Sequence, residues 1–332
     1  PRLNVVCLRD SKGLDAAELS VHLKPFGLTS PDVHGLINLF KEAKTLGSMI
    51  QVPEDLNTRL PGMASGLQTA LRDGDLYGQQ SARELLPLVW SALVLGMRFD
   101  AVVANPPYMG YKAMSPALKS LISDDLADHK ADLFSLFVVR LFRFGRHTGF
   151  CCCMTPFTWL YLQSFAALRN EILNRRTFTS SIEPEYHAFF DSAFVPICAF
   201  STFGTHIAGF RSEFINLSRF SDPSIQSEKT LEAIADEQCS WRFRRRPDDF
   251  RLIDGATIAY WCAESLLQKF NTEEPFSKRY IAVKGLDTCD NDRFMRRWFE
   301  PALHTIGIGL SEDVSWEVVG QKWFPYCKGG AF

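Results

Sequence analysis

The stretch from Phe99 to Asn174 constrains the fold of this chain more than any other, because strand-like and helix-like segments alternate within it. Phe99 to Ala104 (FDAVVA) has a β-branched centre and few polar residues, which predicts a strand buried on both faces of a parallel sheet. Ala131 to Phe144 is apolar almost all round and stops at Gly145, as a buried helix does. Phe150 to Met154 reads as the next buried strand, ended by Pro156, and Phe157 to Asn174 as an amphipathic helix. That order is the signature of an α/β sheet. With 332 residues and 46% hydrophobic side chains, the chain has material for about two domains and is neither disordered nor fibrous.

The flanks are read around this centre. Leu3 to Leu8 is β-rich and ends in Arg9, Asp10 and Ser11, as a strand entering a polar loop. Ser30-Pro31 starts a helix whose apolar face runs from Leu36 to Leu46. Residues 51–80 carry Pro53, Pro61, Gly62, Gly66, Gly74 and Gly78 and read as loop, part of an insertion over about 11–96 that closes with a helix from near Pro87 to Gly96. Thr177 to Ile182 and Val195 to Phe203 are strand-like, and Ile207 to Phe214 is expected to return antiparallel. From about Ser218 the chain turns polar and loop-rich, so a boundary is placed near 216, giving regions 1–216 and 217–332. Both ends look cut, with no methionine at Pro1 and a stop directly after Lys328-Gly329-Gly330.

Charge and cysteines narrow the partners. The 36 basic and 38 acidic side chains leave a net charge of -2, so any nucleic-acid contact must be local, as in the clusters Trp241 to Arg246 and Arg293 to Phe299. The nine cysteines form no C-x-x-C pair, and Cys151, Cys152 and Cys153 would point to alternating faces of a strand. They read as core residues of a reducing, cytoplasmic compartment, with no metal site. The longest apolar helix, Leu133 to Phe144, is short and carries Arg140 and Arg143, so no membrane role is expected.

Chemistry concentrates in Asn105-Pro106-Pro107-Tyr108, directly after the first buried strand, where ligands of open α/β sheets bind. Each proline holds the residue before it extended and fixes its own φ, so the loop is stiff before a guest arrives. Neither proline has an N-H, which leaves the Pro106 carbonyl available beside the Asn105 side-chain oxygen and the Tyr108 ring. Two acceptors beside a flat aromatic wall suit an exocyclic amino group on a planar ring. Hydrogen bonds from both its protons favour a pyramidal nitrogen with a localised lone pair, ready for an electrophilic methyl group.

This motif resembles that of amino-group DNA methyltransferases acting on adenine. Further segments are similar to the PglX methyltransferases of BREX phage-defence systems: Phe40-Lys41-Glu42-Ala43-Lys44 with Gly47-Ser48-Met49-Ile50, Ala104 to Gly110, Lys284-Gly285-Leu286-Asp287-Thr288 with Asn291, Asp292 and Phe294, and Trp323-Phe324-Pro325-Tyr326 with Lys328-Gly329-Gly330. The resemblance implies part of a Rossmann-like methyltransferase sheet in 1–216, then a mixed α+β target-recognition region in 217–332, truncated at its C-terminus. It implies S-adenosyl-L-methionine as cofactor, double-stranded DNA and other phage-defence proteins as partners, and methylation of a flipped adenine. Asn105, Pro106, Pro107 and Tyr108 would be catalytic. Phe190, with Phe189 and Phe194 as competitors, would stack the base opposite Tyr108. Asp10, Asn105 and Asp132 would meet the cofactor, although Asp132 also suits a helix N-cap. Lys284, Thr288 and Asn291, in a family-like segment, would contact DNA, whereas Arg242, Arg244 and Arg245 interleave with aromatics as a DNA-contacting surface would, or equally form a solvated loop neutralised by Asp248 and Asp249.

One departure stands out. The family's glycine-rich cofactor motif and ribose-binding acid should precede Asn105, and Gly62 to Gly66 and Gly74 to Gly78 follow no strand. A fragment lacking that motif is expected to be inactive alone. Two other readings stay open: a catalytically silent DNA-binding subunit, and an amino-group methyltransferase acting on protein or RNA.

Overall fold

A computed structural model describes residues 4–122, 124–186, 196–274, 278–281, 288–310 and 320–326. The chain forms two compact units, Pro1–Glu273 and Glu274–Phe332.

The first unit begins with helices. They are α1 (Ala16–Leu23), α2 (Ser30–Leu39), α3 (Ala43–Leu46), α4 (Glu54–Asp73) and α5 (Leu76–Gly96). Capping starts three of them: Asp15 accepts from the Ala17 and Glu18 amides, Thr29 forms a capping box with Asp32, and Asp75 accepts from Gly78. The loop expected over 51–80 is instead α4 and the start of α5. Leu56, Leu60, Met63, Leu67 and Ala70 recur at helical spacing and are buried, a stripe that outweighs the internal Pro61. The glycines are sites of close approach: a Cβ on Gly66 would lie 2.3 Å from the Phe26 carbonyl oxygen, and one on Gly96 2.2 Å from Asn57 Oδ1. The opening strand is also corrected, since residues 4–10 form no strand and Val5 is exposed. A β-rich run without a ladder partner gains nothing from extension.

A six-stranded sheet follows, ordered β1-β2-β4-β3-β5-β6. Its strands are β1 (Phe99–Ala104), β2 (Gly145–Pro156), β3 (Thr177–Glu183), β4 (Ile197–Phe203), β5 (Ser212–Asn216) and β6 (Arg242–Arg245). β1, β2, β3 and β5 run one way, with β4 and β6 opposed, so the protein is α/β with a mixed sheet. The segment expected to return antiparallel supplies β5, which skips β4 and pairs in parallel with β3. Among the described residues β1 is an edge, and its residues are exposed or half-buried, so the expected burial on both faces is not found. Val103 is 78% exposed, on the same face as Ala101 and the half-exposed Phe150.

Between β1 and β2 lie α6 (Pro116–Ser120) and the buried α7 (Leu133–Phe144). α7 carries Arg140, which donates to the carbonyls of Ser48 and Ile50 and lies over the Phe144 ring, bolting the helical layer to the sheet. The helix expected from Phe157 starts only at Ala166, as α8 (Ala166–Arg175). Before it, two 3-10 turns are pinned by the buried Arg169, whose guanidinium donates to the carbonyls of Trp159, Leu162 and Gly255. The unit continues past the boundary expected near 216 through α9 (Gln226–Ala235), β6 and α10 (Glu264–Thr272). Tyr260 stacks on Phe214 of β5 at 4.7 Å, and Phe250 meets the same ring edge-on. These aromatic contacts make 217–273 continuous with the sheet core.

In the second unit, α11 (Asn291–Phe294) precedes two segments joined by a parallel bridge between Ile306 and Trp323. No helix among the described residues is long and apolar enough to cross a membrane.

Candidate active site

The carboxyl ends of β1, β2, β3 and β5 share one rim of the sheet, which carries Asn105, Phe157, Glu183 and Asn216. Asn105 and Pro107 are exposed, Pro106 is buried and Tyr108 is partly exposed. The Tyr108 hydroxyl lies 3.1 Å from Asn105 Oδ1 and 3.2 Å from the Met154 carbonyl oxygen, so its single proton is shared between two acceptors. When it turns to Met154, Asn105 Oδ1 is free to accept elsewhere. The Pro106 carbonyl accepts from none of the described residues. The Tyr108 ring meets Phe134 of α7 edge-on at 6.3 Å, and burial raises its phenol above the usual range.

Asp132 fixes the far end of this loop. Its Oδ1 accepts from Met109 N at 2.9 Å and from Phe134 N at 3.1 Å, capping α7. Leu133 N donates back to the Met109 carbonyl at 2.9 Å, and Gly110 bridges to Asp132. Asp10, expected at the end of a strand, follows none, and its Oδ1 accepts from Lys44 N at 2.9 Å. Phe190, its competitors Phe189 and Phe194, and Lys284 lie outside the described residues.

The rim holds aromatics that the sequence reading missed. Phe157 and Tyr186 stack at 5.7 Å and 14°, with Tyr161 5.4 Å from Phe157. The available signal was position: Phe157 directly follows the proline that ends β2, and Tyr186 lies just past β3. Glu183 was missed as well. Burial pushes its carboxyl up to about 7, opposed by a hydrogen bond from Tyr260, which in turn accepts from Asn216 Nδ2 at 2.7 Å. Its Oε1 is sealed from solvent and has no hydrogen-bond partner among the described residues.

The predicted DNA-contacting arginines sit on β6, tied into the fold. Arg242 pairs with Glu213 at 2.9 Å, donates to the Ala233 carbonyl and is mostly buried. Arg244 is more exposed and pairs with Glu213 at 3.2 Å, while Arg245 Nε donates to the Cys262 carbonyl. Thr288 and Asn291 hydrogen-bond each other at 2.6 Å in the second unit. Cys151 and Cys153 are buried and Cys152 half-buried, as alternation in β2 requires, with burial raising the Cys151 thiol to about 11. Among the described residues no group of three or more His, Cys, Asp or Glu could hold a metal ion.

The rim therefore suits a planar amino-bearing guest: two carbonyl acceptors, an aromatic wall and a clamped loop. For a nucleoside cofactor the fit is incomplete, because the described strands begin at Phe99 and no glycine-rich turn follows a strand ahead of Asn105.

Residues 66–190 match the family described as Eco57I restriction-modification methylase. The chain is a homologue of adenine-specific methyltransferases of the BrxX and PglX type. It is 31% identical to the adenine-specific methyltransferase BrxX of Escherichia coli O9:H4 (strain HS), over 99% of this chain and 28% of that protein. It is 25% identical to the adenine-specific methyltransferase PglX of Lacticaseibacillus casei (strain Zhang), over 94% of this chain and 27% of that one. The chain thus spans little more than a quarter of the curated relatives it matches. Its structure also resembles a type I restriction-modification system methyltransferase subunit from Streptococcus thermophilus, with a TM-score of 0.38 and 11% identity over 69% of this chain and 63% of that one.

Proposed function

We propose that this chain is the amino-group side of a DNA adenine methyltransferase of the phage-defence or restriction-modification type. The activity belongs to the longer protein, with double-stranded DNA as substrate and S-adenosyl-L-methionine as cofactor. The carrying observation is the pair of acceptors at Asn105 Oδ1 and the Pro106 carbonyl, on a loop clamped by Asp132 beside Tyr108. In this reading the flipped adenine lies against Tyr108, and its two amino protons go to Asn105 and Pro106. Those hydrogen bonds strengthen as the nitrogen becomes pyramidal, which favours the transition state over the ground state. The cofactor, when bound, supplies an electrophilic methyl group. Residues up to 216 supply the catalytic rim and five of the six strands, and those from 217 onward, which add β6 to the sheet, are assigned to target recognition.

The test is Asn105→Ala in the full-length protein. Methylation-sensitive long-read sequencing should show loss of modified adenine, with duplex affinity within about threefold of wild type. Undiminished adenine methylation in that variant would refute the proposal.

A further inference from the structure

The second unit contains a groove of about 1100 Å3 that none of the predicted roles explains. One wall is the segment 293–298, and the other is formed by 303–308 and 322–326. Backbone hydrogen bonds hold the second wall together: Trp323 N donates to the Thr305 carbonyl at 3.0 Å, and Gly307 N to the Trp323 carbonyl at 2.8 Å. The groove exceeds the usual size of a small-ligand pocket, roughly 300–1,000 Å3, and suits a polymer better than a metabolite.

Its charge is one-sided. The Arg296 guanidinium lies 5.4 Å and the Lys322 ammonium 5.6 Å from the centre of the same Trp323 ring, and Arg293 covers Phe294 at 4.9 Å. None of these three exposed cations forms an ion pair with a described carboxylate. Asp290 and Glu300, the acids nearest in sequence to have described partners, accept instead from the backbone amides of Arg293 and Arg297. Two like charges gathered at one indole repel each other unless an anion lies between them. Beside them Trp298 is 83% exposed and, among the described rings, meets Phe299 at 88°, which leaves most of its indole surface to solvent.

We propose that this groove is a DNA-binding site, in which Arg296 and Lys322 clasp a backbone phosphate and Trp298 stacks on an unpaired base. Cations interleaved with open aromatic faces are the chemistry of such channels. Thr288, expected from sequence to meet DNA, lines the same groove. The inference rests on the DNA methyltransferase reading and adds a site remote in sequence from Asn105.

The experiment measures fluorescence anisotropy of a mixed-sequence duplex with the full-length protein across salt concentrations. Each phosphate contact contributes about 0.9 to the slope of log K against log salt. Arg296→Gln combined with Lys322→Gln removes that phosphate contact and should lower the slope by about 0.9, weakening binding by roughly fivefold near 0.15 M salt. The single exposed Lys322→Gln, which leaves the fold least disturbed, should lower it by about half as much. Trp298→Ala should weaken single-stranded DNA binding by about fivefold or more. Normal slopes in variants that still bind duplex overturn the groove, while loss of methylation in Asn105→Ala would leave the parent reading standing. Wild-type protein that binds no DNA defeats both. Variants that lose affinity for polyglutamate alone would assign the groove to an acidic protein and overturn it as a DNA site.

Discussion

Asp132 and Met109 exchange restraint in both directions: the carboxylate of Asp132 holds the Met109 amide at 2.9 Å, and the Met109 carbonyl is held by Leu133, the next residue after Asp132. The residue that follows Tyr108 is therefore fixed to the first turn of α7. Two prolines stiffen the loop at its start, and this exchange stiffens its end. A loop fixed at both ends brings its acceptors to a guest with little ordering left to do.

Asp132→Ala should lower the methylation rate of the full-length protein by about ten- to a hundredfold, since roughly 1 Å of misplacement has that scale of effect. Loss of the helix cap should cost about 1 kcal/mol of stability. Asp132→Asn keeps an acceptor and should recover much of the rate. Calorimetric titration with the cofactor separates this positioning role from a ligand role, because only a ligand role predicts a large fall in cofactor affinity.

Tyr108→Phe keeps the aromatic wall and removes the proton shared by Asn105 and Met154. The expected result is a rate reduced by about tenfold with little change in stability, on the scale of one hydrogen bond of roughly 0.5–1.5 kcal/mol. An unchanged single-turnover rate would show that the hydroxyl does not orient Asn105.

Glu183 makes stability depend on pH. Its folded carboxyl titrates at about 7, against about 4.3 in an unfolded chain, with Tyr260, Tyr161 and Cys198 as the titratable groups around it. Its contribution is complete below about pH 4.3 and declines as pH rises toward 7, because only the folded form keeps the proton across that window. Above 7 the decline levels off. Urea melts of wild type and Glu183→Gln should diverge by about 1–3 kcal/mol in favour of the variant between roughly pH 5 and pH 8. Parallel pH profiles would show that the carboxyl is not held neutral.

Arg140→Met should destabilise the first unit by about 2–4 kcal/mol, because it leaves the carbonyls of Ser48 and Ile50 without their charged donor. Thermal melting of the purified protein checks this, and a change below about 0.5 kcal/mol would mean that water replaces the guanidinium.

The central alternation was legible because burial writes itself into sequence: β1 and α7 appear within two residues of where the apolar runs place them. The tetrapeptide at the end of β1 could be found the same way, since a strand end and two prolines are local signals. What failed was tertiary. Gly66 and Gly96 look like loop residues until Phe26 and Asn57 are seen pressed against them, and the run to Leu8 looks like a strand until residues 4–8 are found with no ladder partner among the described residues. The aromatic stack of Phe157 on Tyr186 joins residues from different strand ends, and no spacing rule links them. Arg242 was legible as a candidate DNA contact but not as the partner of Glu213, which is 29 residues away and adjacent only through sheet pairing.

The bare side of β1 has a practical corollary. Among the described residues its ladder is open, and an open ladder beside the solvent-facing Val103 and Phe150 is adhesive, because its unpaired backbone groups can recruit another polypeptide strand. A preparation of these 332 residues by themselves should therefore clump with rising concentration. A lysine at position 103 would improve its behaviour in solution.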